Sequence, residues 1–443
     1  MKRNDAFIIK NVGGKKVLVP IGMQVANLNG FIILNDIAAF VWELLAEDCS
    51  LDKMTSAIIE QFDISPENAH ADLHSFLNEI EKMGLFGKKV NKSLTPSSDY
   101  NQFVAELHSK AAACGQPING AFELTERCNL NCQMCYICQL PSDRIRRKKE
   151  LSSAAWLELA HQAVDNGMLF LLLTGGEVFL RPDFFDIYTP LTRLGLILTL
   201  FTNGTLITED LAAHLAEAPP SRTEITLYGA TAATYEAITG VPGSYASCCN
   251  GIATLVKNHI PLTLKSTITQ QNIGELKSMR RMANNWGLSL SVGWLLSKRR
   301  DGIRSKVVDC RLKAADCMTL ESIEPISSSE WKEVSMHTLC HDANFNCQAG
   351  QTAFVVNSYG EMNVCIELPL PAVLPLEIGF SRAWEQVQHF VEDSPPLAPR
   401  CLVCEVRLYC PRCPAWSQLE TSTLTEPVPY LCEIAHARKK SNV

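Results

Sequence analysis

The sequence predicts an α/β protein: a partial (β/α)6 TIM-type barrel, with a small winged-helix-like module before it and a cysteine-rich segment after it. Three observations carry this. Six short apolar runs alternate with amphipathic stretches between about residues 119 and 300, as a parallel sheet wrapped by helices requires. Before them, β-type runs broken by Gly and Asn turns lead into three capped helical stretches. After them, eight of the 18 cysteines fall beyond position 339, several in CxxC spacing.

The first unit, residues 1–88, opens with Phe7-Ile8-Ile9 and Lys16-Val17-Leu18-Val19 on either side of Gly13-Gly14, a hairpin pattern. Asn29-Gly30 turns the chain again before Phe31-Ile32-Ile33. Helices follow from Ile37 to Glu47 with Asn35 or Asp36 as cap, after Ser50, and after Ser65 with Pro66 in the first position. Residues 89–118 read as a linker: NKSLTPSSD is polar and Pro/Ser-containing, and a helix is predicted over Tyr100–Ala113. The barrel, residues 119–335, begins with the strand Ala121–Thr125 and continues with strands at Leu169–Leu173, Leu196–Phe201, Glu224–Leu227, Leu262–Ser266 and Leu288–Val292. The tail, residues 336–443, shows little periodicity and is expected to owe much of its order to bound metal.

Composition excludes several function classes. Of 443 residues, 47% are hydrophobic and the net charge is −7, which argues against a nucleic-acid surface. No apolar run approaches the roughly 20 residues that span a bilayer, and the N-terminus lacks the apolar stretch of a signal peptide. The expectation is a cytoplasmic protein without nucleic-acid or membrane partners. In that compartment 18 cysteines suggest metal or redox chemistry rather than disulfides.

Cys128, Cys132 and Cys135 follow the first barrel strand directly, at the end where such barrels place their active sites. Three thiolates on one short loop can hold three irons of a [4Fe–4S] cube and leave the fourth open. A zinc knuckle or buried thiols would have the same spacing. Leu173-Thr174-Gly175-Gly176-Glu177 ends the next strand, with glycines that admit a ligand to the backbone and a carboxylate that can accept from an ammonium. Thr202-Asn203-Gly204 and Leu227-Tyr228-Gly229 end two more strands on the same rim.

CxxxCxxC followed by TGGEVFLRPDF, FTNGTLI and ITLYGA resembles the radical S-adenosylmethionine enzymes over roughly residues 119–300. The resemblance implies a catalytic cluster on Cys128, Cys132 and Cys135, and Gly175, Gly176 and Glu177 at the methionine moiety. It makes Asn203, Thr226, Lys265 and Ser266 ribose or carboxylate contacts. Lys265 could equally pair with a rim carboxylate. Met134 stands where the family often has an aromatic; the aromatic here is Tyr136.

In the tail, C-x2-C-x5-C-x2-C alone would also fit a zinc ribbon. CQAGQTAFVVNSYGEMNVC followed by CLVCEVRLYCPRC resembles the SPASM extension of radical enzymes, which carries auxiliary [4Fe–4S] clusters. By order, Cys340, Cys347, Cys365 and Cys413 would hold the first, and Cys401, Cys404, Cys410 and Cys432 the second. Two residues separate Cys410 from Cys413, where the family usually has three. Three [4Fe–4S] clusters and S-adenosylmethionine are thus the implied cofactors. Cys49, Cys114, Cys138, Cys248 and Cys249 read as plain thiols; Cys310 and Cys317, in the polar stretch VVDCRLKAADCM, are the exceptions to watch.

The first unit resembles the PqqD-like recognition element of enzymes that modify ribosomally made peptides. That resemblance implies a leader peptide added as a strand beside the small sheet, against the third helix. A packing or dimerisation module is the plainer alternative. The run Arg144-Ile145-Arg146-Arg147-Lys148-Lys149 could guide an acidic leader or a flavodoxin- or ferredoxin-type reductant, or simply be a solvated loop. Together the resemblances imply a radical oxidoreductase that crosslinks a precursor peptide: a Cys thioether first, then a C–C or C–O bond, then residue oxidation. A non-catalytic iron–sulfur carrier or redox sensor is the rival, and an open iron counts against it.

Overall fold

The computed structural model describes residues 2–22, 30–86, 100–137, 142–302, 306–323 and 344–441. The N-terminal unit is a three-stranded antiparallel sheet, β1 (Phe7–Val12), β2 (Lys15–Pro20) and β3 (Ile32–Leu34), in the order β1-β2-β3. Gly13-Gly14 form the two-residue turn, with Val12 paired to Lys15. Three helices follow: α1 (Asp36–Leu44), α2 (Leu51–Phe62) and α3 (Pro66–Lys82). Each begins where a side chain accepts the first orphan amide: Asn35 from Ala38 N, Ser50 from Lys53 N, Ser65 from Asn68 N. Trp42, Leu45, Met54, Ile58 and Leu73 bury the helices against one sheet face.

The other sheet face packs on the barrel. Val12, Val17, Val19 and Phe31 meet Leu107 and Ala111 of α4 (Tyr100–Ala113), together with Ile118 and Leu169. Gly13 N donates to Gln116 Oε1 at 2.6 Å. Lys10 of β1 lies against Gly195, and its Nζ is buried with no hydrogen-bond partner among the described residues. The predicted linker helix therefore works as packing between module and barrel. The preceding stretch NKSLTPSSD lies outside the described residues.

Six parallel strands form the barrel wall: β4 (Asn119–Thr125), β5 (Phe170–Gly175), β6 (Ile197–Thr202), β7 (Arg222–Thr226), β8 (Leu262–Thr267) and β9 (Leu290–Gly293). They match the six predicted runs. The tail differs from expectation. It contributes β10 (Ala353–Val356), β11 (Met362–Cys365) and β12 (Leu368–Val373), and the sheet runs β12-β11-β10-β4-β5-β6-β7-β8-β9. β10 lies parallel to β4, with Ala353 opposite Asn119 and Val356 opposite Phe122. The helix Phe380–Glu392 buries Phe380, Ala383, Trp384 and Val387. These, with Phe354 and Trp416, join the main core around Phe122, Trp156 and Tyr188. Apolar side chains, not metal alone, order this segment; their three- and four-residue spacing is diluted by the charged residues between them.

Candidate functional site

The site is built on the C-terminal ends of β4 to β8. At the end of β4, Arg127 is buried and bonded to Glu150 through Nε (2.9 Å) and Nη2 (3.1 Å). This ties the root of the cysteine loop to the chain entering the next helix. The loop is then threaded by backbone bonds: Cys135 N to Cys132 O (3.1 Å), Asn131 N to Thr239 O (2.8 Å) and Gln133 N to Ile238 O (3.1 Å).

At the end of β5, Gly176 N donates to Thr125 O (2.7 Å) and Glu177 N to Arg127 O (2.9 Å). A Cβ on Gly176 would stand 2.2 Å from Arg127 O; one on Gly175, whose φ is +131°, would stand 2.2 Å from Thr125 O. The two glycines let this turn lie flat against the root of the cysteine loop.

Cys128, Cys132 and Cys135 line one cavity of about 310 Å³, and so do Gly175, Gly176, Asn203, Thr226 and Lys265. The Cys128 Sγ accepts from Leu130 N at 3.4 Å and lies 3.7 Å from Asn203 Nδ2, which also bonds Asn129 Oδ1 at 2.8 Å. Burial pushes the Cys128 thiol up to about 12 and the Cys132 thiol higher still. Metal binding to such thiols releases their protons. Lys265 sits with Nζ 3.5 Å from Glu224 Oε2 and 3.0 Å above the Phe201 ring, and burial lowers its amine to about 8. Lys265 thus pairs with the rim carboxylate of Glu224 and also lines the cavity.

Two predicted contacts fall elsewhere. Ser266 is buried and its Oγ faces Met279 Sδ at 3.8 Å, because neighbours along a strand point to opposite faces. Glu177 is fully buried beneath the rim. Its carboxylate accepts from Thr202 Oγ1 (2.8 Å), Asn203 N (2.7 Å) and Phe179 N (3.2 Å), and so braces β5 against β6. Burial pushes its carboxyl up to about 7 against those three bonds.

A buried charge network went unread. Arg300, in the segment after β9, donates to Glu123 Oε2 (2.6 Å), Glu126 Oε1 (2.8 Å) and Ile366 O (3.1 Å). Tyr136 donates to Glu123 Oε1 (3.2 Å) and Tyr359 to Glu126 Oε2 (2.7 Å). A glutamate inside the apolar run AFELT was the available signal, since a fully buried carboxylate demands a partner. The tail also closes the cavity, where Ile366 and Glu367 form part of the wall. Glu367 is held by Ser297 Oγ (2.9 Å) and Trp416 Nε1 (2.6 Å).

In the tail, Cys401, Cys404, Cys410 and Cys432 line a second cavity of about 260 Å³ with Arg407 and Arg412. Burial raises the Cys365 and Cys413 thiols, and nearby thiols add to it, Cys413 acting on Cys365 and Cys347 on Cys413; Cys340 lies outside the described residues. Among the described residues no three His, Cys, Asp or Glu side chains converge on one point as a single metal ion needs. Cys128, Cys132 and Cys135 stand around one cavity and Cys401, Cys404, Cys410 and Cys432 around another, donor sets of the kind that multi-iron clusters take. Cys310 and Cys317 are buried in helices rather than in a polar loop.

These features define an α/β partial barrel with a thiol-lined cavity at its C-terminal rim and a second thiol-lined cavity in its tail. Residues 122–283 match the family model of the radical SAM superfamily, and residues 17–85 that of coenzyme PQQ synthesis protein D (PqqD). The chain thus carries a radical SAM domain and a PqqD-like domain. It is 28% identical over 334 residues, 70% of this chain and 95% of the relative, to the AdoMet-dependent heme synthase of Methanosarcina barkeri. It is 23% identical over 368 residues, 80% of this chain and 72% of the relative, to the antilisterial bacteriocin subtilosin biosynthesis protein AlbA of Bacillus subtilis. A PqqA peptide cyclase of Rhizobium meliloti is 33% identical over 161 residues, 36% of this chain and 42% of the relative. In fold it resembles Streptococcus suis SuiB bound to precursor peptide SuiA, with a TM-score of 0.61 at 15% identity over 97% of this chain and 99% of that one.

Proposed function

We propose that the protein is a peptide maturase: a radical SAM enzyme that installs a crosslink, first of all a Cys thioether, in a ribosomally made precursor peptide. One observation carries the reading. A PqqD-like module is packed through α4 onto the barrel whose cavity holds Cys128, Cys132 and Cys135, so peptide capture and radical chemistry share one body. The division into 1–88, 89–118, 119–335 and 336–443 belongs to the same reading.

A cluster and S-adenosylmethionine bound there would supply the radical chemistry that takes a hydrogen from the peptide. The chain's residues do the rest. Cys128, Cys132 and Cys135 would hold three irons of the cluster. Gly175 and Gly176 offer backbone to the methionine end, Lys265 offers an ammonium to its carboxylate, and Asn203 and Thr226 border the ribose. Tyr136, Ile366 and Glu367 narrow the cavity and keep water from the reacting carbon. Cys340, Cys347, Cys365 and Cys413, then Cys401, Cys404, Cys410 and Cys432, would hold two auxiliary clusters, which would offer a path for the spare electron. A flavodoxin- or ferredoxin-type reductant in the cytoplasm supplies the first electron. No helix among the described residues is long and apolar enough to cross a membrane.

The test is anaerobic. Iron-loaded protein, dithionite, S-adenosylmethionine and a short peptide encoded beside the gene should yield 5′-deoxyadenosine and a peptide lighter by two hydrogens. Loss of one iodoacetamide-reactive thiol marks a thioether; an unchanged thiol count points to a C–C or C–O bond. Cys128→Ala should abolish both products and keep auxiliary cluster absorption. A colourless, zinc-containing protein would sink the reading. The 95% coverage of a heme synthase favours a second one, chemistry on a tetrapyrrole, which a porphyrin absorbance change without peptide would reveal.

A further inference from the structure

In the antiparallel sheet β1-β2-β3, β3 is an edge, so one side of its backbone ladder is open among the described residues. Between that edge and α3 lies a cleft of about 220 Å³. Its floor is apolar: Ile33, Ile37, Phe76, Ile80 and Met83. Its rim is not. Asp72, Ser75 and Glu79 stand exposed along α3 on the cleft side. Asp72 and Glu79 are seven residues apart, two helical turns, or about 10 Å along the axis.

Neither carboxylate forms an ion pair among the described residues, and no Lys, Arg or His lines the cleft. Elsewhere on this chain exposed carboxylates do find cations: Glu106 pairs with Lys110 at 2.8 Å and Glu209 with Lys257 at 2.7 Å. The cleft thus combines an open backbone edge, an apolar floor and two uncompensated negative charges. A strand laid along β3 alternates its side chains, so apolar residues reach the floor and their neighbours meet the rim.

We propose that the peptide segment captured beside β3 carries at least one Lys or Arg flanking an apolar anchor, and that Asp72 and Glu79 select it. This rests on the reading of the module as a leader-binding element and adds the charge of the leader. An acidic leader would meet like charge on the rim and on a chain whose net charge is −7.

The probe is a displayed library of random 12-residue peptides, selected against the full chain. Selected peptides are then titrated by fluorescence anisotropy. Lys- or Arg-bearing apolar peptides should be enriched. Replacing their cation by Gln, or using the Asp72→Asn/Glu79→Gln double variant, should weaken binding about three- to tenfold, the scale of one or two exposed ion pairs. Added salt should weaken binding to the parent chain but not to the double variant. Enrichment of acidic or neutral peptides, or affinity indifferent to salt and to the double variant, overturns the charge assignment. Ser75→Trp separates the two layers: it fills the cleft from an exposed position without touching charge. If it abolishes binding while the double variant does not, capture at the cleft survives and the charge rule falls. If peptides bind Ser75→Trp normally, or none is enriched, the cleft is not the capture site and both fail.

Discussion

A methyl group on Gly176 would lie 2.2 Å from Arg127 O and 2.8 Å from Glu126 O, both main-chain atoms at the root of the cysteine loop. Neither can retreat without moving Cys128. Gly176→Ala should therefore cost about 1–3 kcal/mol of stability, the range for overpacking, and stop 5′-deoxyadenosine formation; thermal unfolding and product assay read the two effects. The neighbours Lys265 and Ser266 should part company. Lys265→Met should weaken S-adenosylmethionine binding by roughly tenfold, the scale of a charged hydrogen bond, whereas Ser266→Ala, facing Met279, should leave it within about twofold by equilibrium dialysis. Lys10 gives a pH test. Burial lowers its amine to about 8, below the ordinary lysine value, so between pH 8 and about 10 the unfolded chain holds a proton the folded chain lacks. Stability from this group rises across that window and is reduced below it. Lys10→Met should raise the melting temperature at pH 7, and the gain should shrink toward pH 10. The cavity's cysteines, glycines, Asn203 and Lys265 were legible because strand-end motifs announce themselves. The burial of Glu177 and Ser266 was not legible, because the sequence does not say which face a strand residue takes, nor that β6 supplies the donors Thr202 and Asn203.

Between elements, Arg300 is a shared anchor. It joins β4, the cysteine loop and the tail through Glu123, Tyr136 and Ile366. Arg300→Ala would leave Glu123 buried without its cation, which should cost about 3–5 kcal/mol in a denaturant titration. Adding Glu123→Gln should recover part of that loss, as removing both members of a pair does. Strands β4 to β9 and helices α1 to α3 were readable from period and caps, because local chemistry decides both. Arg300 was not, since 177 residues separate it from Glu123 and no local pattern links them. The helix Phe380–Glu392 escaped for a different reason: charged residues interrupt its apolar face, and the surrounding cysteines drew the reading toward metal.

For the whole molecule, the continuous core predicts how the chain behaves without iron. Phe354, Phe380, Trp384 and Trp416 pack with Phe122 and Trp156 in one cluster that contains no proposed iron ligand among its fully buried members. Iron-free protein should keep most of its helical circular dichroism. Hydrogen exchange should stay slow in β10 and β11 and speed up in segments 128–137 and 401–413, where buried thiols lose their partners. Uniform loss of protection would show that the clusters hold the tail together after all.

The pairing of β10 with β4 also sets a clock for synthesis. Asn119 leaves the ribosome 234 residues before its partner Ala353. At about 5–20 residues per second that is roughly 12–47 s. Through that interval β4 has a raw, unpaired flank, and a chain that stalls before Val356 never covers it. Truncated products should therefore stick to one another edge to edge, and translation pauses within residues 126–352 should lower the yield of usable protein more than pauses after β12.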